Sequence, residues 1–210
     1  MNSNPVLRHI ESSIGKITVH FQEIISDDLT IDLIHVGSTL FRGFEVVVTS
    51  GMSAMPMNIP PGVQAPAFAE VLTILPKGWP MTKDALMDER NYWPLRLLKD
   101  IARYTHHEQT WIGYGHTVAM AASPESTDQP QPYAPGIEFC AALIMPSLSL
   151  GEKAWSMKTA DGKEVFFWCA VPLHKKELQF KMEHGVDPLL DLMDKHKVND
   201  RINPKRLSIV

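Results

Sequence analysis

The chain carries little of what chemistry is usually built from. It has only two cysteines in 210 residues, too few for a disulfide-stapled scaffold. Cys140 and Cys169 each sit inside an apolar, strand-like run. They read as reduced thiols of the core, with a bridge between neighbouring strands as the alternative. No apolar stretch approaches the ~18 residues that cross a membrane. The start, Met1-Asn2-Ser3-Asn4-Pro5, has no basic-then-apolar leader pattern. These absences point to a cytoplasmic protein with no membrane attachment. An excess of positive charge is missing too: 20 Lys and Arg face 24 Asp and Glu, for a net charge of −4. A dedicated nucleic-acid binder carries a basic face, so direct nucleic-acid binding is not expected. Mild acidity suits a basic protein partner instead.

Reactive constellations are equally scarce. His106, His107, Glu108 and His116 lie close together in sequence. Adjacent histidines cannot share a helix face, however, and neither HExxH nor CxxC spacing occurs, so no metal site is expected. Ser53, in Gly51-Met52-Ser53-Ala54-Met55, lacks the GxSxG elbow. Both cysteines look buried, which leaves no nucleophile beside a base. Gly113-x-Gly115 is too short to cradle a phosphate and no helix signal follows it. No catalytic residue and no cofactor is expected.

What is present is an ordinary globular composition, 44% hydrophobic and 21% charged, ample to bury a core without staples. Asn4 can cap a short helix to Ile14, with Pro5 at its first position and Gly15 at its end. Ile17, Val19 and Phe21 alternate with polar residues at the period of a half-buried strand. Strands are expected at 31–37, 44–49 and 68–75. A proline-punctuated loop spans Gly51 to Pro66, and a helical turn or two fits Thr82 to Glu89. From Trp93-Pro94 a helix runs to Tyr104, about 16 Å at 1.5 Å per residue; Leu97, Leu98, Ile101 and Ala102 form its apolar stripe. Two heavily apolar runs, 137–145 and 164–171, predict central strands buried on both faces. Residues 155–158 suit a hairpin partner before Asp161-Gly162. Helices are expected over 175–184 and, capped by Asp187, over 188–197. The order lacks regular strand–helix alternation. It predicts an α+β fold, a mostly antiparallel mixed sheet with helices packed against it. One domain covers 1–210, with 122–136 as a mobile polar surface loop inside it.

Seven residues are candidates for partner binding: Met52, Met55, Met57, Trp79, Trp111, Tyr114 and His116. Three methionines among prolines make an adaptable apolar surface, or else a lid on the core. Trp79 and Trp111 border loops, where aromatics anchor interfaces or plug the ends of a sheet. Two glycines around Tyr114 imply a shaped turn. His116 after them can fix that turn through backbone hydrogen bonds, contact a partner, or act as a general base.

Taken in order, Gly51-Met52-Ser53-Ala54-Met55-Pro56-Met57, Ala69-Glu70-Val71, Trp79-Pro80, Trp93 through Leu98, and Thr110-Trp111 through Thr117 resemble the suppressor of fused domain family. The resemblance spans roughly 49–117 and continues through 165–172 and 177–185. It implies an α+β domain that works by binding other proteins, with no catalytic residues to carry over. In animals the family sequesters a zinc-finger transcription factor of the Hedgehog pathway, whose peptide is held as an added strand between two domains. The length here matches the bacterial single-domain members, which resemble immunity proteins against toxins, frequently nucleases. The expectation is therefore a non-catalytic immunity protein or antitoxin that binds a protein partner. The alternatives are a small enzyme or ligand-binding protein using the Trp111–His116 loop, and a scaffold that adds a partner strand to a sheet edge.

Overall fold

The computed structural model describes residues 4–24, 29–119 and 130–210. Its centre is one sheet of eight strands: β1 (Ile17–Phe21), β2 (Asp32–Val36), β3 (Phe44–Ser50), β4 (Phe68–Pro76), β5 (Thr117–Ala119), β6 (Phe139–Pro146), β7 (Ser156–Lys158) and β8 (Glu164–His174). They lie in the order β1-β2-β3-β4-β8-β6-β5, with β7 hairpinned to β8. Every pairing is antiparallel except β4 with β8. Four α-helices accompany it among the described residues: α1 (Pro5–His9), α2 (Glu89–His107), α3 (Lys175–His184) and α4 (Val186–Lys195). The fold is the expected α+β arrangement in one domain.

Side-chain alternation divides the core between the two sheet faces. Leu33, Val47, Val71, Ala142, Ile144, Trp168 and Ala170 face α2, meeting Trp93, Leu97, Leu98, Ile101 and Ala102. Ile34, Val46, Val48, Leu72, Leu143, Cys169 and Val171 face α1, α3 and α4 through Val6, Leu7, Leu178, Leu189 and Met193. Both faces are dry, which is why β3, β6 and β8 read as nearly unbroken apolar runs rather than as alternation. The two cysteines are free and buried. Burial pushes the Cys169 thiol well up, consistent with an inert core group.

Local chemistry sets most boundaries. Asn4 accepts a hydrogen bond from Val6 N, and the helix runs through a π-helical stretch, Ile10–Ile14, to Gly15. Two helix starts differ from the sequence expectation. α2 begins five residues before Pro94, because the Asp88 carboxylate accepts from Arg90 N at 2.9 Å. Pro94 lies inside it and forfeits one early backbone bond. α4 is preceded by Gly185, and Asp187 sits within its first turn rather than at the cap. Strand β5, which lies beside β6, has no counterpart in the sequence pattern. Of the expected surface loop 122–136, residues 122–129 lie outside the described residues. Of the rest, Gln131, Pro132, Pro135 and Gly136 are exposed, while Tyr133 and Ala134 are buried, and Tyr133 stacks on Trp93 at 5.2 Å between ring centroids.

Three carboxylates with almost no solvent contact tie irregular segments to this frame. Glu70, inside β4, accepts from Thr49 Oγ1 (2.6 Å), Gly51 N (3.0 Å), Ser53 N (3.1 Å) and Ser53 Oγ (2.6 Å). Glu177 accepts from His174 N (2.8 Å), Ile209 N (3.1 Å) and the Arg206 guanidinium, fixing the last residues. Asp200 accepts from Ser147 Oγ (2.7 Å), Ser149 N (3.0 Å) and Ser149 Oγ. A buried carboxylate is tolerated only when its lone pairs are filled this way.

Glu70→Ala is expected to cost on the order of 3 kcal/mol, since two N–H and two O–H donors lose their acceptor; urea unfolding measures it, and a loss below about 1 kcal/mol contradicts the assignment. Stability also depends on pH through Glu23. Burial pushes Glu23 up, but Ile31 N–H, Arg103 and Lys99 outweigh it and hold it below its ordinary 4.5. The unfolded chain therefore takes up the proton first. The stability from this carboxylate is present above pH 4.5 and is lost as pH falls through the lower folded value. Glu23→Gln is expected to flatten that acid limb in melting temperature recorded against pH.

Candidate functional site

The segment after α2 is built rather than slack. Thr110 N bonds Thr105 O at 2.9 Å and so ends the helix. The chain then turns through Trp111-Ile112-Gly113-Tyr114-Gly115 and joins the sheet, where Gly115 N bonds Ile144 O (2.9 Å) and Ile144 N bonds His116 O (2.8 Å). Both glycines are demanded. A Cβ on residue 113 would lie 2.7 Å from Trp111 Cζ3, and residue 115 has φ +78°, a region that side-chain-bearing residues avoid. The Trp111 and His116 rings pack at 4.2 Å, and Ile112 is buried beneath them.

His116 is half-buried. Burial lowers its pKa, the Trp111 backbone bond opposes that, and the Lys181 charge reinforces it. It lines a recess of about 270 Å³ with Tyr104, Thr110, Lys181 and Met182. A base at this place has a cation, hydroxyls and apolar groups around it, and among the described residues the recess offers no carboxylate to orient the ring and no Ser or Cys nucleophile. That is not the arrangement of a nucleophile–base–orienter triad. Nor do three or more His, Cys, Asp or Glu side chains converge anywhere among the described residues.

The seven candidate residues do not gather into one surface. Met52 and Met57 are buried in the core, with 0% and 4% exposure, and only Met55 of the three is exposed. Two of the loop's three methionine side chains thus fill the space under α2, as the lid alternative describes. The Glu70 bonds to Gly51 and Ser53 pull the loop inward, and His106 Nε2 meets Met52 O at 3.1 Å. Trp79 is partly buried, donating from Nε1 to Asn91 O (2.9 Å) and packing edge-on against Trp93. Trp111 is partly buried against the same core. Tyr114, with 52% exposure, points to solvent.

What the structure does bring together is the frame of the sequence pattern itself. Asn58 N bonds Thr110 O (3.2 Å) and Asn58 Nδ2 bonds Gln109 O (2.8 Å). The 51–58 loop, Glu70, α2 and the 110–117 turn thus form one cross-braced corner. Sequence reasoning missed Glu70 as its anchor, although a lone acid within Phe68-Ala69-Glu70-Val71-Leu72 was the available signal. It also missed Leu148, a large apolar side chain left 65% exposed between two bound serines.

His116→Ala and Trp111→Ala are each expected to lower stability, by roughly 1–4 kcal/mol, through a lost ring contact or a cavity. Thermal and urea unfolding give the readout. Unchanged melting with abolished partner binding would assign the corner to function instead.

Comparison with known proteins agrees with this architecture. A suppressor-of-fused homologue from Neisseria gonorrhoeae superposes with a TM-score of 0.66 at 18% identity, covering 98% of this chain and 94% of that one. A chain of the Sufu–Fu complex matches with a TM-score of 0.59 at 15% identity, covering 97% of this chain and 89% of its own length. Drosophila Suppressor of Fused matches with a TM-score of 0.54 at 15% identity, over 87% of this chain and 43% of its length. Among curated proteins no sequence matches. The family model of suppressor of fused protein matches residues 27–207, and the chain therefore belongs to the suppressor of fused protein family.

Proposed function

We propose that this chain is a non-catalytic protein-binding domain that serves as a cytoplasmic immunity protein, neutralising a toxin such as a nuclease. The observation that carries the binding role is family membership across 27–207, joined to the way this chain spends its polar groups. The fully buried carboxylates are consumed by internal donors, and the half-buried histidine of the turn packs against its own loop. Chemistry needs an unspent group held against substrate; a binding scaffold needs a rigid frame. A related Sufu was solved in complex with Fu, which supports a protein as the partner class. The net charge of −4 favours encounter with a basic protein, the usual charge of a nuclease.

The enzyme alternative rests on the His116 recess, and its groups support it less. Addition of a partner strand to β1 is also less favoured, because that edge strand is five residues long and carries a register shift between Ile17 and Val19, features that blunt an edge.

The test is capture of partners from the native host with tagged full-length chain, and then co-expression with any toxin encoded beside it. A stable complex and restored growth are expected. No bound protein and no rescue from that toxin would sink the proposal.

A further inference from the structure

The irregular chain between β6 and β7 forms a groove against α4. Its volume is about 710 Å³, the size of a ligand-binding cleft, against about 270 Å³ for the recess at His116. Met145, Leu148 and Trp155 line one side, and Leu190 and Met193 of α4 line the other, with Tyr114 beside them. Leu148 is not there by slack. Ser147 and Ser149 on either side of it are both bound to the buried Asp200 carboxylate, Leu150 N bonds Ser147 Oγ (3.2 Å), and Trp155 Nε1 bonds Ser147 O (2.7 Å). This clamp holds Leu148 out at 65% exposure beside Tyr114 at 52%. A rigid turn that presents a large apolar side chain loses little entropy on binding.

The rim says what the groove takes. Asp191 and Asp194 line it and are exposed. Among the described residues neither carboxylate has an ion pair or hydrogen bond, while Asp200, the third acid, is filled by its three donors. The two stand three residues apart on one helix face, where like charges repel. Asp194 also lies in the last turn of α4, the end where the helix dipole disfavours an anion. The fold gains nothing from this pair. Among the described residues Lys197 is the one cation lining the groove, and their exposed charge stays acidic by one.

We propose that this groove docks a short amphipathic segment of a partner protein, its apolar side chains seated among Leu148, Leu190 and Met193 and its Lys or Arg residues paired with Asp191 and Asp194. The proposal rests on the protein-binding reading above and names the surface that performs it.

The probe is a synthetic peptide of repeating Leu-Lys-Lys-Leu, compared with its Leu-Glu-Glu-Leu counterpart, titrated into the isotope-labelled full chain and monitored by amide chemical shifts. Perturbations at Tyr114, Leu148 and 190–199 are expected, with about tenfold preference for the basic peptide from two exposed ion pairs and the matching repulsion of the acidic one, shrinking as salt screens the rim. The double variant Asp191→Lys, Asp194→Lys reverses the preference, and Leu148→Ser weakens both peptides. All three side chains are exposed, so melting temperature stays at the wild-type value and serves as the folding control. Equal affinity for the two peptides, shifts that map elsewhere, or self-association that Leu148→Ser abolishes would each overturn the proposal, the last by making a second copy the occupant. A natural partner captured equally by wild type and double variant overturns the groove while leaving the immunity role standing. Charge-selective binding here without toxin rescue does the opposite.

Discussion

A carboxylate that never meets water organises the corner on which the sequence pattern of this family converges. Glu70 is 0% exposed inside β4, flanked in sequence by Ala69 and Val71, both buried. Left unpaired there, an ionised acid would cost a large share of the net stability of a domain. The cost is offset only because the chain after β3 turns back at once and delivers Gly51 N, Ser53 N and the Ser53 hydroxyl to one oxygen and Thr49 Oγ1 to the other. That requirement fixes the turn, and the turn in turn fixes the segments packed on it. Met52 is driven into the core, and its carbonyl is placed for His106 at the end of α2. Asn58 then reaches the backbone of Gln109 and Thr110. One acid thereby couples a loop, a strand, a helix end and a second loop that lie far apart in the chain.

The same device recurs with different partners. Glu177 collects the last residues through Arg206 and Ile209, and Asp200 collects the 147–150 turn. In a chain without disulfides, charged hydrogen bonds hold irregular backbone to a sheet that is covered on both faces. Such bonds are directional and strong when buried, so they specify one conformation of each loop where apolar contact alone would allow several. The outcome is a frame with little freedom at its corners, fit to hold exposed groups such as Tyr114 and Leu148 in fixed positions.

Much of this frame is legible in the chain, because each sheet and helix carries its own period or cap. The strands at 17–21, 44–50 and 164–174 follow from β-branched and apolar runs, and α1 follows from Asn4 and Pro5. Pro94 and Asp187 are residues that commonly start helices, but α2 starts upstream of Pro94, where Asp88 caps it and the following turn buries Trp93 at 0% exposure, and α4 starts directly after Gly185. Methionine among prolines leaves surface and lid both open, because composition does not report that a buried acid on the neighbouring strand draws the loop inward. Strand β5 is three residues long, too short for any period to register.

The surface is less legible than the core for a further reason. A core face repeats along a single element, so its pattern is written locally. The groove beside α4 is assembled from Tyr114, the 145–155 segment and 190–200, pieces that only the β5-β6-β8 topology brings together. At 15–18% identity to the solved relatives the layers still superpose, since a two-faced sheet accepts any apolar set of the right volume. A groove rim has no such constraint: Asp191 and Asp194 could become lysines without disturbing a single internal bond. A fold of this kind can thus keep its frame while exchanging the charge of its docking surface. That freedom is what a binding scaffold needs if it is to meet different partners.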